Sequence, residues 1–347
     1  MRLDTRLSIA CAALALAWSL APARQSPRRQ EPRQAPARSV ADADEALAVE
    51  TELVDLHVRV ADARARAVTD ARREEFRVFE DGVEQEIRFF SREEVPVNYG
   101  LVFGNTRSLG GHVGEMIGAA KTVVEGSRAG DRFFLASFEP RAGGVALKWD
   151  YTAERAALFR LLDSLRGQAG AAALRDALYF SASYVARDEE DLRPPAPKAA
   201  TRALRRRALI VLTDGVDRAS RYTEDELVAR LAAEGVQVYA VGFLEGRGAD
   251  GLARATNPRR REQARSLLTR LADATGGRAF FPASFAELPA VAREIARDLR
   301  TQYVVGYAPT NRARDGRFRA VRVEVSGGDG ARTAATRTGY FAPLAKE

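Results

Sequence analysis

Few residues in this 347-residue chain have the type and spacing that chemistry requires. The histidines are His57 and His112, 55 positions apart, and neither lies in a spaced motif. His57 sits in an alternating apolar–polar stretch with no partner pattern around it. The sequence holds no HExxH zinc helix, no GxSxG nucleophile elbow and no Walker-type phosphate loop. Cys11 is the single cysteine, inside an apolar N-terminal run that continues well past it, which argues against lipid attachment. Aspartates and glutamates are abundant, but no spacing brings a pair of them to a cleft. One carboxylate stands out by position. Ala208–Thr213 is a continuous apolar run that ends in Asp214-Gly215. These residues predict a non-enzymatic protein.

The other chemical feature is charge. Lys plus Arg is 54 against 47 Asp plus Glu, a net +7 and a pI near 9.8. Such a balance raises the question of a polyanionic partner. Residues 1–23 carry +1, residues 24–39 carry +4, and everything after them carries only +2. The excess therefore lies in a tail. Two arginine triplets remain, Arg205–Arg207 and Arg259–Arg261, both in Pro- or Gly-rich interruptions that read as exposed, solvated loops. No aromatic residues interleave with them, so nucleic acid is not expected as a partner.

These residues must be positioned by elements legible in the pattern. Residues 1–23 carry Arg2 and Arg6, a 14-residue uncharged run from Leu7 to Leu20, and Ala21-Pro22-Ala23. This reads as a cleaved export signal; the run is short for a membrane span, and an uncleaved anchor is the alternative. The expected location is periplasmic or extracellular, at the envelope. Residues 24–45 open on an Arg/Pro/Gln-rich stretch without apolar periodicity, a disordered spacer. Its arginines would contact anionic envelope surfaces. Residues 46–95 alternate with period two, and Asp81-Gly82 signals a hairpin, so this segment is β-rich with solvated charged faces. Over residues 96–302 apolar strands alternate with amphipathic helices, which predicts a doubly wound, mostly parallel α/β domain. Residues 303–347 return to β pattern, and their pairing with 46–95 would give a small flanking β module.

Three stretches carry a family resemblance. They are Glu75-Phe76-Arg77-Val78-Phe79-Glu80-Asp81-Gly82-Val83-Glu84-Gln85-Glu86-Ile87, Leu209-Ile210-Val211-Leu212-Thr213-Asp214-Gly215, and Leu299-Arg300-Thr301-Gln302-Tyr303-Val304-Val305-Gly306-Tyr307-Ala308-Pro309, the last followed by Asp315-Gly316-Arg317-Phe318-Arg319 and Gly339-Tyr340-Phe341-Ala342-Pro343. The central domain resembles a von Willebrand factor A (VWFA) domain, a Rossmann-like α/β fold. Residues 46–343 resemble the VWFA-related proteins of acidobacteria. The resemblance implies a metal-ion-dependent adhesion site (MIDAS) at the C-terminal edge of the sheet. Its Asp-x-Ser-x-Ser element falls on Gly104-Asn105-Thr106-Arg107-Ser108. Gly104 takes the aspartate place, and Thr106 and Ser108 keep hydroxyls. Ala172 takes the place of the site's threonine, and Asp214 keeps its second aspartate.

A hard divalent cation is held by several oxygens, and carboxylate charge drives its affinity. One carboxylate and two hydroxyls remain here, with Arg107 in the same loop. The implied role is therefore an exported, non-enzymatic protein-interaction module with an unidentified protein partner, a degenerate MIDAS and no cofactor. Asp214 would then serve as a backbone cap. The alternative is Mg²⁺- or Mn²⁺-dependent adhesion through Thr106, Ser108 and Asp214.

Overall fold

A computed structural model describes residues 53–92, 95–104, 112–139, 144–165, 173–186, 205–244, 258–327 and 331–345. Residues 1–45, expected to hold an export signal and an Arg-rich spacer, lie outside these. The first strands are β1 (Val54–Ala61), β2 (Phe76–Glu80), β3 (Val83–Gln85) and β4 (Ile87–Ser91). β2 and β3 form a hairpin around Asp81 and Gly82, whose φ angles are +48° and +84°. Two positive φ values give a type I′ turn, which matches strand twist and selects Asp-Gly. The Val83–Phe90 stretch, strand-like throughout in sequence, divides at Glu86, because β3 pairs with β2 while β4 joins a different sheet.

The central domain follows as β5 (Val97–Phe103), α1 (Val113–Glu125), β6 (Arg132–Glu139), β7 (Gly144–Thr152), α2 (Arg155–Ser164), α3 (Leu174–Val185), β8 (Arg206–Thr213), α4 (Glu224–Ala233), β9 (Val236–Gly242), α5 (Pro258–Thr275), β10 (Arg278–Phe280) and α6 (Leu288–Asp298). The sheet order is β10-β9-β8-β5-β6-β7, parallel except for β7. β5 and β9 are buried along their whole length, which explains why each is apolar apart from a single buried amide, Asn98 and Gln237 respectively. Helices α1, α2 and α6 cover one face, and α3, α4 and α5 cover the other. Thr223 and Glu226 close a capping box at the start of α4.

Both arginine triplets sit differently from expectation. Arg259–Arg261 occupy the first turn of α5, because Pro258 at its first position pre-sets helical φ. Arg206 and Arg207 belong to β8, and Arg206 is only 2% exposed. Pairing with Val97 at the start of β5 draws Arg206 into the sheet, where its Nη1 donates to the carbonyl of Leu299.

The chain closes with β11 (Tyr303–Tyr307), β12 (Phe318–Val325), β13 (Thr333–Ala335) and β14 (Gly339–Phe341). These interleave with the first strands into two antiparallel sheets, β13-β1-β11-β4 and β14-β12-β2-β3. The flanking module is thus built from both ends of the described chain. Leu56, Val58, Phe76, Val78, Tyr303 and Val323 lie in its core. Glu80, expected on a solvated face, is 2% exposed. Its Oε2 accepts from Tyr307 Oη at 2.7 Å and Tyr340 Oη at 2.9 Å. Among the described residues no helix is long and apolar enough to cross a membrane.

The module meets the α/β domain along a polar seam. On β1, Asp55, His57 and Arg59 alternate with the module's core residues. Arg59 Nε lies 3.8 Å from Asp298 Oδ2 at the end of α6, and Arg278 Nη1 lies 3.0 Å from the same oxygen. Gln302 donates to Tyr239 Oη at 2.8 Å, and Arg337 donates to the carbonyl of Asp55 at 2.9 Å. Burial, helped by Arg206 and Arg337, holds the His57 imidazole well below its ordinary pKa, so it is neutral when folded. The unfolded chain protonates it near pH 6.5 and the folded chain does not. Stability should therefore fall as pH drops below about 6.5, by up to about 1.4 kcal/mol per unit for this one group. Asp55 and Asp298, raised chiefly by burial, act in the opposite sense, because the folded chain takes up their protons at a higher pH than the unfolded one. Urea unfolding of the wild type and His57→Gln between pH 7.5 and 5.5 checks it: the variant's profile should be flatter across that window.

Candidate functional site

The C-terminal edge of the parallel sheet gathers the ends of β5, β8 and β9. β5 delivers Gly104, whose N–H donates to the carbonyl of Leu212 at 2.7 Å. A Cβ added at Gly104 would stand 2.9 Å from Thr213 Oγ1 and 3.0 Å from the Leu212 carbonyl oxygen. The backbone closes onto β8 there, and any side chain would require the neighbours to give way. β8 delivers Thr213 and Asp214. The buried Thr213 hydroxyl accepts from Gly215 N at 3.1 Å, and Asp214 Oδ1 accepts from Val216 N at 3.2 Å. Asp214 is half-buried and caps its own turn. Gly215 has φ +70°, and a Cβ there would meet Ala264 Cβ of α5 at 2.6 Å, so both conformation and space select glycine.

The structure therefore brings Gly104 and Asp214 to neighbouring strand ends. Thr106, Ser108 and Ala172 lie outside the described residues. Two further carboxylates occupy the same edge, and the sequence pattern assigned them no place. Asp217 Oδ2 accepts from Arg175 N at 3.0 Å and Arg175 Nε at 2.9 Å, and its Oδ1 accepts from Ser220 N at 3.2 Å. Burial pushes the Asp217 carboxyl up, but hydrogen bonds from Ser220 and Arg175 outweigh it and bring it below its ordinary range. Asp176 Oδ1 accepts from Arg221 N at 2.8 Å and Tyr222 N at 3.0 Å. Both carboxylates tie the start of α3 to the loop that leads into α4. That pairing spans more than forty positions, and no local signal announces it.

Opposite this pair, His112 stacks on Phe285 with ring centroids 3.9 Å apart, and Phe285 stacks on Phe243 at 4.7 Å. His112 Nδ1 lies 3.3 Å from Glu115 Oε1. Among the described residues no group of three or more His, Cys, Asp or Glu side chains is placed to share a metal ion. Among the described residues the edge thus holds backbone-directed carboxylates, the Arg175 guanidinium against Asp217, and an aromatic stack.

Several solved structures are similar in fold. A conserved hypothetical protein, BatB, from Bacteroides thetaiotaomicron is 16% identical over 58% of this chain and 98% of its own, with a TM-score of 0.40. A von Willebrand factor type A protein from Catenulispora acidiphila is 13% identical, covering 85% of this chain and 75% of its own, with a TM-score of 0.44. The pilus adhesin SpaC from Lactobacillus rhamnosus GG, in an open conformation, is 11% identical, covering 82% and 48%, with a TM-score of 0.43. No curated protein matches the chain. The von Willebrand factor type A domain family matches residues 104–294, more than half of the sequence and the span that holds both Gly104 and Asp214, and the chain belongs to that family.

Proposed function

We propose that this protein is an exported, non-enzymatic interaction module. It presents the loops at the C-terminal edge of its VWFA sheet to a protein partner and does so without a metal ion. The observation that carries this reading is the closure of Gly104 onto Thr213 and Leu212, at the place where the family's site needs a carboxylate. The other carboxylates of this edge are committed to protein donors, and Arg175 adds a positive charge beside Asp217. These donors fit a hard divalent cation poorly. Both histidines are occupied structurally, His57 in the seam and His112 in the aromatic stack, which supports the absence of catalysis. The Arg-rich spacer would hold the module near an anionic envelope surface.

The test pairs two measurements. Thermal unfolding and calorimetry with Mg²⁺ or Mn²⁺ at about 5 mM should give no heat and no shift in Tm, since a ligand stabilises only by binding the folded state. Crosslinking in the source envelope should recover the same partner with and without chelator. A Tm that rises with metal, together with a partner lost on chelation, would instead support metal-dependent adhesion through Thr106, Ser108 and Asp214.

A further inference from the structure

A second aromatic stack stands at the C-terminal edge of the sheet, on the loop that leads from β8 to α4. Tyr222, at the end of that loop, lies on Tyr179 of α3 with ring centroids 3.7 Å apart and ring planes within 8° of parallel. Arg230 of α4 lies over the Tyr179 ring as well, 5.1 Å from its centroid. The backbone of Tyr222 is fixed too, because Asp176 Oδ1 accepts from Arg221 N at 2.8 Å and from Tyr222 N at 3.0 Å. Tyr222 is nevertheless 37% exposed. Tyr179 covers one face of its ring, and over the other no ring or guanidinium stands among the described residues. Phe180, next to Tyr179 on α3, is exposed to the same degree.

The same loop carries Arg218 and Arg221, both exposed. Neither guanidinium has a carboxylate partner among the described residues. The carboxylates around them are turned inward and occupied. Asp176 takes the two loop N–H groups, and Asp217 takes Arg175 and the N–H of Ser220. On the first turn of α4, Glu224 pairs with Arg270 and Glu226 closes the capping box on Thr223. Asp225 on that turn is exposed and opposes the two arginines. The loop therefore shows solvent a ring supported from behind, beside two uncommitted guanidinium groups.

We propose that this loop binds an acidic segment of a protein partner, one that carries an aromatic side chain. The partner's ring continues the stack on Tyr222, and its carboxylates pair with Arg218 and Arg221. This rests on the reading of the C-terminal edge as the partner face, and it names the partner's chemistry. Tyr and Arg supply much of the binding energy of protein interfaces, because a rigid ring and a planar cation offer large contact area and directed hydrogen bonds. A ring already held by Tyr179 and by the bonds to Asp176 has little freedom left to lose on binding. A guanidinium recognises a carboxylate through two parallel hydrogen bonds. An uncharged aromatic segment would leave both arginines without a role.

The experiment titrates the full chain, in chelator, against fluorescent polymers of matched length: a random Glu/Tyr copolymer, polyglutamate, a Lys/Tyr copolymer and polygalacturonate. The wild type should bind the Glu/Tyr copolymer about tenfold more tightly than polyglutamate, which carries more charge but no ring, and should not bind the Lys/Tyr copolymer. Tyr222→Ala should erase that preference, and Tyr222→Phe should keep it. Arg218→Gln/Arg221→Gln should weaken copolymer binding about tenfold, and Asp225→Asn should tighten it about twofold. The spacer arginines stay in place throughout, so these differences belong to the loop. Arg218 and Arg221 are exposed, so their variant tests the proposal even if Tyr222→Ala does not fold. An unchanged preference in Tyr222→Ala, or unchanged copolymer affinity in Arg218→Gln/Arg221→Gln, overturns the proposal. Polygalacturonate bound as tightly as the copolymer, with the same loss in Tyr222→Ala, overturns it in favour of an acidic polysaccharide. Each titration is repeated in Mg²⁺: a Tyr222-dependent preference seen only there supports the loop as the docking site and overturns the metal-free reading instead.

Discussion

Replacing Arg206 by alanine should lower the unfolding free energy by about 3 kcal/mol or more, although the residue belongs to a triplet that looks like a solvated loop. Its side chain is buried between the foot of the parallel sheet and the β module, and its guanidinium donates to the carbonyl of Leu299, where α6 gives way to β11. Alanine removes the donor and leaves that carbonyl without it in a place water does not reach. It also vacates the volume of a long side chain at the seam. Arg206→Met separates the two contributions. It restores most of the volume without the charge, and a buried ion replaced by an apolar chain of similar size costs less than one simply deleted. The control is Arg205→Ala. Arg205 is half-buried, and its Nη1 donates to the carbonyl of Gly130 at 2.9 Å, so its loss should cost about 1 kcal/mol. Urea unfolding of the three variants measures this, with hydrogen exchange at Tyr303–Tyr307 as the local readout. Equal effects for Arg205→Ala and Arg206→Ala would show that Arg206 does not hold the seam.

Arg206 and Glu80 mark where sequence pattern stopped being informative. The central sheet was readable because strands buried on both faces have to be largely apolar, as Ala208–Thr213 and, Gln237 apart, Val236–Gly242 are. The hairpin was readable because Asp81-Gly82 is a local chemical requirement of a type I′ turn. Arg206 and Glu80 read as exposed for the same reason: charge ordinarily means solvent. What buries them is distant. The partner of Arg206 lies 93 positions away and the two phenols on Glu80 lie 227 and 260 positions away, so no window of sequence contains the compensation. The candidate site divides in the same way. Asp214 is legible as the residue that ends a buried strand. The roles of Asp217 and Asp176 are set by donors across the α3–α4 connection. The closure at Gly104 is a matter of how near β5 lies to β8, which composition does not encode.

Glu80→Ala should be as damaging as the loss of Arg206, at about 3–4 kcal/mol, and here the two sheets of the β module are at stake. Glu80 lies on β2 in one sheet, Tyr307 on β11 in the other, and Tyr340 on β14 beside β12. A single carboxylate oxygen takes both phenolic hydrogens. Burial, followed by the hydrogen bond to Glu80, pushes both tyrosines well above their ordinary pKa, so they remain donors at any ordinary pH. A charge-assisted bond to a buried acceptor contributes about 1.5–3 kcal/mol, roughly twice a neutral one. Deleting the carboxylate strands the buried Tyr307 hydroxyl and the half-buried Tyr340 hydroxyl at once. Glu80→Gln keeps an acceptor of the same shape without the charge and should cost about 1–2 kcal/mol. Tyr307→Phe removes one donor and leaves the carboxylate bonded to Tyr340, at a similar cost. In Glu80→Gln/Tyr307→Phe the losses should sum to less than the two singles, because the second substitution removes a bond the first has already weakened; a coupling of about 1 kcal/mol is expected. Strict additivity in that cycle would mean the carboxylate and the phenol act separately, and this pair would then not be what links the two sheets.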